Sequence, residues 1–320
     1  MNRRTRLLVG FVRRLPRPDP PSPRYLAGLR RELPQPLARL LLGRVAPSVR
    51  ISEIHIPTQD GPVRARVYRH DGHSGKPAPL VVNFHGGGFV FGNLTTTDWL
   101  CGNLTARTGA VVVSVDYRLA PEYPAPIPFL DSWRASSWLG EHAADFGTDQ
   151  VAVMGESAGG NLAALVALKW RDRCRADPAW PRLTHQILIY PATDLTLSSA
   201  SIADLGEAPM LGRRQLHWYG RRYLPQGLVS SIAHDDPQVS PLFASDHGDL
   251  APALIIAAGQ DPLRDDATRY AEALSRADVP TRLITFPEAI HGFMSIPMFE
   301  PAAREALDLI AEELLGLVAR

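Results

Sequence analysis

Two glycine-rich motifs each follow an apolar stretch of the chain and carry groups that acyl transfer needs. A His-Gly-Gly-Gly sequence at 85–88 follows the apolar run 80–84, and a Gly-Glu-Ser-Ala-Gly sequence at 155–159 follows the apolar run 151–154. A serine in a Gly-x-Ser-x-Gly turn between a strand and a helix is held outward as a nucleophile. A glycine-rich loop exposes backbone N–H groups that can bind an oxyanion. Together, the two motifs predict a serine hydrolase that cleaves esters.

The glycines on either side of the serine follow from the geometry of such a turn. The serine takes a strained backbone conformation, and side chains two residues away on either side would collide with neighbouring backbone. Gly155 and Gly159 occupy those positions around Ser157. The helix predicted to begin at Ala158 directs its N-terminal N–H groups and positive dipole end toward a developing negative charge. Ser157 is therefore the predicted nucleophile.

A serine hydroxyl becomes a good nucleophile when a histidine takes its proton, and a carboxylate must orient that histidine. In α/β-hydrolases these residues follow the serine in the order acid, then histidine, on loops after late strands. His291 lies on a loop soon after the last predicted strand, and Asp261 comes soon after the strand before it. Asp265 and Asp266 are close competitors, although both also suit the first turn of the next helix. We expect His291 as the base and Asp261 as the acid.

Composition and charge argue against several other classes of protein. The chain has 320 residues, a net charge of +1, 45% hydrophobic and 21% charged residues. These values suit one large α/β domain with an appended lobe, or two small domains, and give no reason to expect nucleic acid or a membrane as partner. Cys101 and Cys174 lack the neighbours of a zinc site, so we expect no metal and no cofactor. The apolar run 7–12 ends at two arginines without a cleavage site, which favours a cytoplasmic protein.

Strand-like and helix-like segments alternate along most of the chain, after an early antiparallel hairpin predicted by period-two patterns at 51–56 and 63–67. Further strands are predicted at 80–84, 110–115, 151–154, 186–190, 253–258 and 281–286, with helices at 99–107, 129–146, 158–171, 267–277 and 303–319. Near-continuous apolar strands flanked by helices predict an α/β fold with a mainly parallel sheet covered on both faces.

One interval interrupts this alternation. About sixty residues between 190 and 253 contain no clear strand but include the amphipathic stretch 210–224, which is too long for a plain connection and indicates an inserted lobe. The larger apolar residues of this stretch either line a pocket or pack the insert onto the core; they are Leu211, Leu216, Trp218, Tyr219 and Tyr223.

With these motifs in place, the chain resembles the hormone-sensitive-lipase-like family of bacterial esterases, within the α/β-hydrolase superfamily. The resemblance runs in family order from about residue 50 to the C-terminus. Its matching pieces are His-Gly-Gly-Gly-Phe at 85–89 with Gly92, Asp-Tyr-Arg-Leu-Ala-Pro-Glu at 116–122, Gly-Glu-Ser-Ala-Gly-Gly at 155–160, Asp-Pro-Leu-Arg-Asp at 261–265 and His-Gly-Phe at 291–293.

The resemblance implies a catalytic triad of Ser157, Asp261 and His291. It also implies an α/β-hydrolase core at 51–194 and 238–320, with a helical cap made of residues 1–50 and the insertion 195–237. The oxyanion hole would be formed by backbone N–H groups, those of Gly87, Gly88 and Ala158. His85 would then shape its loop without taking part in proton transfer. Family members often pair through the last strand, so a homodimer is expected.

The departures from the family pattern conserve charge. Glu156 stands where aspartate is commoner, and Asp266 stands where glutamate is usual. The leading hypothesis is hydrolysis of short- to medium-chain acyl esters, with a small-molecule ester as the partner. The alternatives are amide or peptide hydrolysis by the same triad, a lipase acting on insoluble triglyceride, and a non-catalytic ligand receptor. The presence of His291 argues against the receptor, because receptor relatives lack that histidine.

Overall fold

A single twisted sheet runs through the part of the chain that the computed structural model describes, residues 21–72, 79–225 and 231–318 together with Thr5, Gly10 and Asp19. The order of the strands is β1-β2-β4-β3-β5-β6-β7-β8. Their bounds are β1 Val49–Ile56, β2 Val63–His70, β3 Leu80–Phe84, β4 Val111–Val115, β5 Val151–Glu156, β6 Leu183–Ile189, β7 Ala253–Gln260 and β8 Thr281–Ile290.

The sheet is antiparallel at one edge and parallel elsewhere. β1 pairs antiparallel with β2, and β2 pairs antiparallel with β4, whereas the pairs from β4 to β8 are parallel. Every residue of β3 and β5 is buried, as expected for parallel strands covered on both faces, whereas β1 is largely exposed. The hairpin and the mainly parallel sheet predicted from the sequence are both confirmed.

Helices cover both faces of the sheet, because each loop between parallel strands must cross from one end of the sheet to the other. Their bounds are α1 Pro23–Arg30, α2 Gln35–Leu41, α3 Asp98–Thr108, α4 Ile127–Glu141, α5 Ala158–Ala176, α6 Ala200–Asp204, α7 Arg213–Tyr223, α8 Arg264–Arg276 and α9 Ala302–Val318. Apolar residues of α4, α5 and α8 pack into the core on one face, and those of α3 and α9 pack on the other.

The predicted elements agree with the observed ones, with differences of a few residues at the ends. The predicted helix 129–146 is shorter than expected, since α4 ends at Glu141 and a separate 3₁₀ turn covers Ala143–Phe146. Conversely, β5 continues to Glu156 and β8 to Ile290, beyond their predicted apolar runs. Glu156 and Glu288 interrupt the apolar pattern in these extensions, so a pattern based on hydrophobicity did not reveal them.

The segments predicted to form a cap contribute short helices beside the carboxyl end of the sheet. In the N-terminal segment, the Arg30 side chain at the end of α1 donates hydrogen bonds to the carbonyl oxygens of Val90 (2.9 Å) and Ala120 (2.6 Å). In the insertion, α7 buries Leu216 and Tyr223 on one side. Within the described residues, no helix combines the length and apolar character needed to span a membrane.

Candidate active site

The two glycine-rich motifs meet at the carboxyl ends of neighbouring strands. β3 and β5 pair in parallel, with Phe84 opposite Gly155, so the segments that follow them leave the sheet side by side. The strand order reverses direction here, because β4 lies on one side of β3 and β5 on the other. Such a switch point opens a crevice in which α/β proteins bind their ligands.

The turn after β5 has the strained geometry predicted for a nucleophile elbow. Ser157 has φ 56° and ψ −117°, in the left-handed half of conformational space that residues with side chains rarely adopt. A Cβ on Gly155 would lie 2.1 Å from the Gly159 carbonyl oxygen, and one on Gly159 would lie 2.1 Å from the Phe84 carbonyl oxygen. Both glycines are therefore required by the close approach of backbone, and Ser157 stands at the start of α5.

Ser157, His291 and Asp261 form a continuous chain of hydrogen bonds. The Ser157 Oγ lies 2.8 Å from His291 Nε2, and His291 Nδ1 lies 2.7 Å from Asp261 Oδ2. The other Asp261 oxygen accepts a hydrogen bond of 2.9 Å from the Leu263 N–H, and the Asp261 side chain is fully buried. The His291 side chain is 12% exposed. These three side chains come from loops after β5, β7 and β8.

The glycine-rich loop, residues 85–92, lies beside this chain of hydrogen bonds. Gly87 and Gly88 both have positive φ, 125° and 59°, and a Cβ on Gly87 would lie 2.1 Å from the Phe91 carbonyl oxygen. Gly87, Gly88 and Ala158 line the same cavity as Ser157. Five of the six predicted site residues thus line one cavity, and the sixth, Asp261, is buried and hydrogen-bonded to His291.

His85 is the first residue of the glycine-rich loop, and its side chain is buried and does not line the cavity. Its Nδ1 donates a hydrogen bond of 2.8 Å to the Gly86 carbonyl oxygen, and its ring stacks on Tyr117 with centroids 4.3 Å apart. The Tyr117 hydroxyl donates to the His85 carbonyl oxygen at 2.6 Å. Burial lowers the pKa of His85, so its ring is neutral at physiological pH. These contacts support a loop-shaping role for this histidine.

A largely apolar cavity of about 280 Å³ opens above Ser157 and His291. Among the residues of the insertion, Leu211, Leu216, Tyr219 and Tyr223 line it, whereas Trp218 is buried in the core without lining the cavity. Of the two roles that the sequence left open, four of these residues line the cavity and Trp218 packs the insertion onto the core. Tyr219 lies directly over the glycine-rich loop, since a Cβ on Gly88 would be 2.5 Å from the Tyr219 ring.

Asp265 and Asp266, the alternative candidates for the acid that orients His291, are hydrogen-bonded to other residues. Asp265 accepts a hydrogen bond of 2.8 Å from the Ser201 N–H. Asp266 accepts hydrogen bonds from the Ser199 hydroxyl (2.6 Å) and the Asp194 N–H (3.1 Å). Both lie in the first turn of α8, as predicted, but they also hold the segment that follows β6.

Sequence reasoning missed the part that Glu156 and Tyr190 take in the site. Glu156 was noted only as a substitution within the motif, and Tyr190 only as the end of a strand. Both line the cavity, and the Tyr190 hydroxyl donates a hydrogen bond of 2.7 Å to Glu156. The signal in the sequence was a carboxylate at the last position of a buried strand, where a charge requires partners.

No group of three or more histidine, cysteine, aspartate or glutamate side chains in the described parts of the chain is arranged to hold a metal ion. The two cysteines are free thiols, Cys101 buried and Cys174 partly exposed.

Comparison with known proteins agrees with this geometry. A family model described as an α/β hydrolase fold matches residues 81–295, which include both glycine-rich motifs. The carboxylic ester hydrolase LipN of Mycobacterium tuberculosis is 42% identical over 252 residues, which are 78% of this chain and 65% of LipN. The ethyl acetate hydrolase of Pseudomonas putida is 35% identical over 285 residues, which are 86% of this chain and 85% of that protein.

A solved structure is similar over nearly the whole chain. The hyperthermophilic esterase from the archaeon Pyrobaculum calidifontis has a TM-score of 0.83 and 35% sequence identity, and the match covers 98% of each chain. From the matching family model, the level of identity and the shared architecture, it follows that this chain belongs to the hormone-sensitive-lipase-like family of carboxylic ester hydrolases, which have the α/β-hydrolase fold.

Proposed function

We propose that this protein is a serine carboxylesterase that hydrolyses short- to medium-chain acyl esters through Ser157, His291 and Asp261. The observation that carries the proposal is the chain of two hydrogen bonds, 2.8 Å and 2.7 Å long, that links these side chains beside an apolar cavity. A hydroxyl, an imidazole and a buried carboxylate in this order have the geometry of a nucleophile, its base and the group that orients the base.

In the acylation step, Ser157 Oγ attacks the ester carbonyl carbon while His291 Nε2 accepts the hydroxyl proton. Asp261 accepts the hydrogen bond from His291 Nδ1, which keeps Nε2 free to take the proton and stabilises the imidazolium that forms. The carbonyl π electrons move to oxygen, where backbone N–H groups of Gly87, Gly88 and Ala158 would bind the oxyanion. Collapse of this intermediate expels the alcohol, which takes the proton from His291, and leaves an acyl ester on Ser157.

In the second step, water replaces the alcohol. His291 Nε2 removes a proton from water as it attacks the acyl carbon, and a second tetrahedral oxyanion forms in the same place. When it collapses, the bond to Ser157 Oγ breaks, His291 returns the proton to the serine and the free acid leaves. The cycle needs no metal or cofactor, because every proton moves between water, substrate and the described side chains.

The shape of the cavity supports small esters as substrates. Its volume is about 280 Å³, and its walls include Phe89, Phe91, Leu216 and Tyr219. Apolar walls stabilise an acyl chain in proportion to the area buried, and a closed end limits its length. The same triad could cleave amides, and parallel assays of matched ester and amide substrates would show the preference. The cytoplasmic location and the homodimer expected from the sequence stay predictions.

Covalent labelling tests the proposal. Under the proposed mechanism, an organophosphate that mimics the tetrahedral intermediate phosphorylates Ser157 as activity is lost. Peptide mass spectrometry should find one added group on the peptide that contains Ser157. Ser295 also lines the cavity and provides an internal comparison. A label on Ser295 or elsewhere, with full loss of ester hydrolysis, would contradict the assignment.

A further inference from the structure

A buried carboxylate to which the mechanism above gives no role lies next to the nucleophile. Glu156 is the last residue of β5 and is only 4% exposed. Burial raises the pKa of its carboxyl group, because the charged form loses contact with water. An acidic side chain at such a position is costly unless other groups in the structure bind it.

The Glu156 carboxylate contacts three separate segments of the site. Its Oε1 accepts a hydrogen bond of 2.6 Å from the Ser295 hydroxyl, on the loop after β8. Its Oε2 accepts one of 2.7 Å from the Tyr190 hydroxyl, directly after β6. It also packs on the glycine-rich loop, since a Cβ on Gly86 would lie 3.2 Å from both Cγ and Oε1 of Glu156. One side chain thus joins the elbow to three other segments of the site.

Glu156 is also linked to His291. The Tyr190 ring packs against the imidazole with centroids 4.9 Å apart, and the Tyr190 hydroxyl accepts a hydrogen bond of 3.3 Å from the Met294 N–H. The positive charge of His291 lowers the pKa of Glu156, in opposition to the effect of burial. Because electrostatic coupling is mutual, a charged Glu156 favours the imidazolium that His291 becomes in each chemical step.

We propose that Glu156 is a positioning residue with an electrostatic role. Its carboxylate holds the glycine-rich loop, Ser157 and the loop 291–296 in one arrangement, and its negative charge stabilises the His291 imidazolium in the transition state. This inference rests on the proposed function, because it assigns Glu156 a part in proton transfer from Ser157 to His291.

The other titratable groups that interact with Glu156 do not change charge near neutral pH. They are Tyr190 after β6, Tyr117 after β4 and Cys101 on α3, and burial raises the pKa of each one. All three therefore stay neutral near neutral pH. Among the described groups coupled to Glu156, His291 is therefore the one whose charge a change at Glu156 would alter in this range.

Glu156→Gln tests the charge, since glutamine has nearly the same shape. We expect kcat to fall roughly 10- to 100-fold with a smaller change in KM, because the lost interaction strengthens in the transition state. The acid limb of the kcat/KM profile should move to lower pH by about one unit, because the imidazolium loses a neighbouring negative charge. Glu312→Gln removes an exposed carboxylate from α9 and should change neither quantity.

A second readout does not depend on turnover. In a Ser157→Ala background, NMR titration of the His291 ring should show its midpoint at lower pH when Glu156 is also changed to glutamine. Glu156→Asp keeps the charge, so its acid limb should stay at the wild-type pH even if the shorter side chain lowers kcat. This variant also serves if the glutamine variant does not fold.

The outcomes separate this inference from the proposed function. If Ser157→Ala is inactive but Glu156→Gln has wild-type kcat and a wild-type acid limb, the role of Glu156 is wrong and the triad stands. A loss of kcat with an unmoved acid limb and an unmoved His291 titration would reduce Glu156 to a structural contact and overturn the electrostatic proposal. Full activity in Ser157→Ala would instead overturn the proposed function itself.

Discussion

At the scale of single residues, the proposed chemistry depends on the carboxylate that orients His291. Asp261 Oδ2 lies 2.7 Å from His291 Nδ1, and Asp261 Oδ1 is held by the Leu263 N–H. Such a carboxylate fixes the tautomer of the histidine and stabilises its charged form. Asp265 is close in sequence but binds the Ser201 N–H instead, so the two residues can be separated by experiment.

Asp261→Asn should lower kcat by roughly 10⁴-fold with the fold intact, because an amide favours the wrong tautomer of His291. Asp265→Asn is the matched control, four residues away and with the same change of chemistry, and it should keep most of the activity. Steady-state kinetics on one soluble ester, with circular dichroism to check folding, measures both. The assignment is wrong if Asp265→Asn is the inactive variant.

The pH dependence of activity follows from the same residues. His291 must be neutral to accept the Ser157 proton, so kcat/KM should rise with pH as the imidazole loses its proton. It should then reach a plateau. A metal chelator should leave the whole profile unchanged, since none of the proposed steps uses a metal. A profile that is already flat from about pH 4.5 upward would argue against a histidine base.

At the scale of elements, the first turn of α8 fastens the segment after β6 to the core. Asp266 is fully buried and accepts hydrogen bonds from Ser199 and from the Asp194 backbone. Burial, with a contribution from the charge of Asp194, raises the pKa of Asp266 to about 7. Because this folded-state value lies above the ordinary value of 3.8, the folded protein binds the proton more tightly than the unfolded chain.

The contribution of Asp266 to stability is therefore fully present below about pH 4 and is lost as the pH rises through about 7. The difference between the pKa of Asp266 in the folded protein, about 7, and its ordinary value of 3.8 corresponds to roughly 4 kcal/mol of unfolding free energy. Asp266→Asn does not titrate, so it should gain stability relative to wild type between pH 5 and pH 8. Urea unfolding at several pH values measures this, and parallel stability curves for the two proteins would contradict it.

Asp265→Asn provides a control of opposite sign. Burial by itself would raise the pKa of Asp265, but hydrogen bonds from Arg264 and Ser201 outweigh burial and lower the pKa overall. Its contribution is present above the ordinary titration range of aspartate and is lost as the pH falls through the folded value. The Asn variant should therefore lose stability relative to wild type as the pH rises to about 4, and the deficit should persist at higher pH.

The elements themselves were largely predictable from the sequence, because their signals are local. The apolar run before Ser157 and the small residues after it predicted β5 and α5 within a few residues. By contrast, the contacts of Asp266 with Ser199 and Asp194 join residues about seventy positions apart. Hydrophobic patterns carry no information on such pairs, so the first-turn interpretation was correct but incomplete.

At the scale of the whole molecule, we expect the space between the sheet and the predicted cap to set the size of the substrate. The cavity draws its walls from the loops after the strands, from the N-terminal segment at Leu42 and from α7 at Leu216 and Tyr219. No single element defines it. The sequence predicted the triad through motif order, but it did not predict these walls, since they form only when distant segments pack together.

Activity should rise with acyl length until the cavity is filled and then fall, with an optimum at roughly four to eight carbons, because each buried CH₂ contributes about 0.8 kcal/mol. A series of p-nitrophenyl esters from acetate to palmitate tests this below the solubility limits. Leu216→Phe should shift the optimum to shorter chains, whereas Arg214→Ala, exposed on the same helix, should not. An optimum at palmitate, with a jump in rate above the solubility limit, would indicate a lipase.

The ester hydrolysis rate of Ser157→Ala tests the proposed mechanism with a single substitution. The substitution removes one oxygen from a residue whose hydroxyl lies 2.8 Å from His291 and leaves the elbow backbone in place. We expect a folded protein whose kcat is lower by roughly 10⁴-fold or more, because no other group replaces the nucleophile. A correctly folded Ser157→Ala variant that loses less than about 10-fold in kcat would contradict the proposed mechanism.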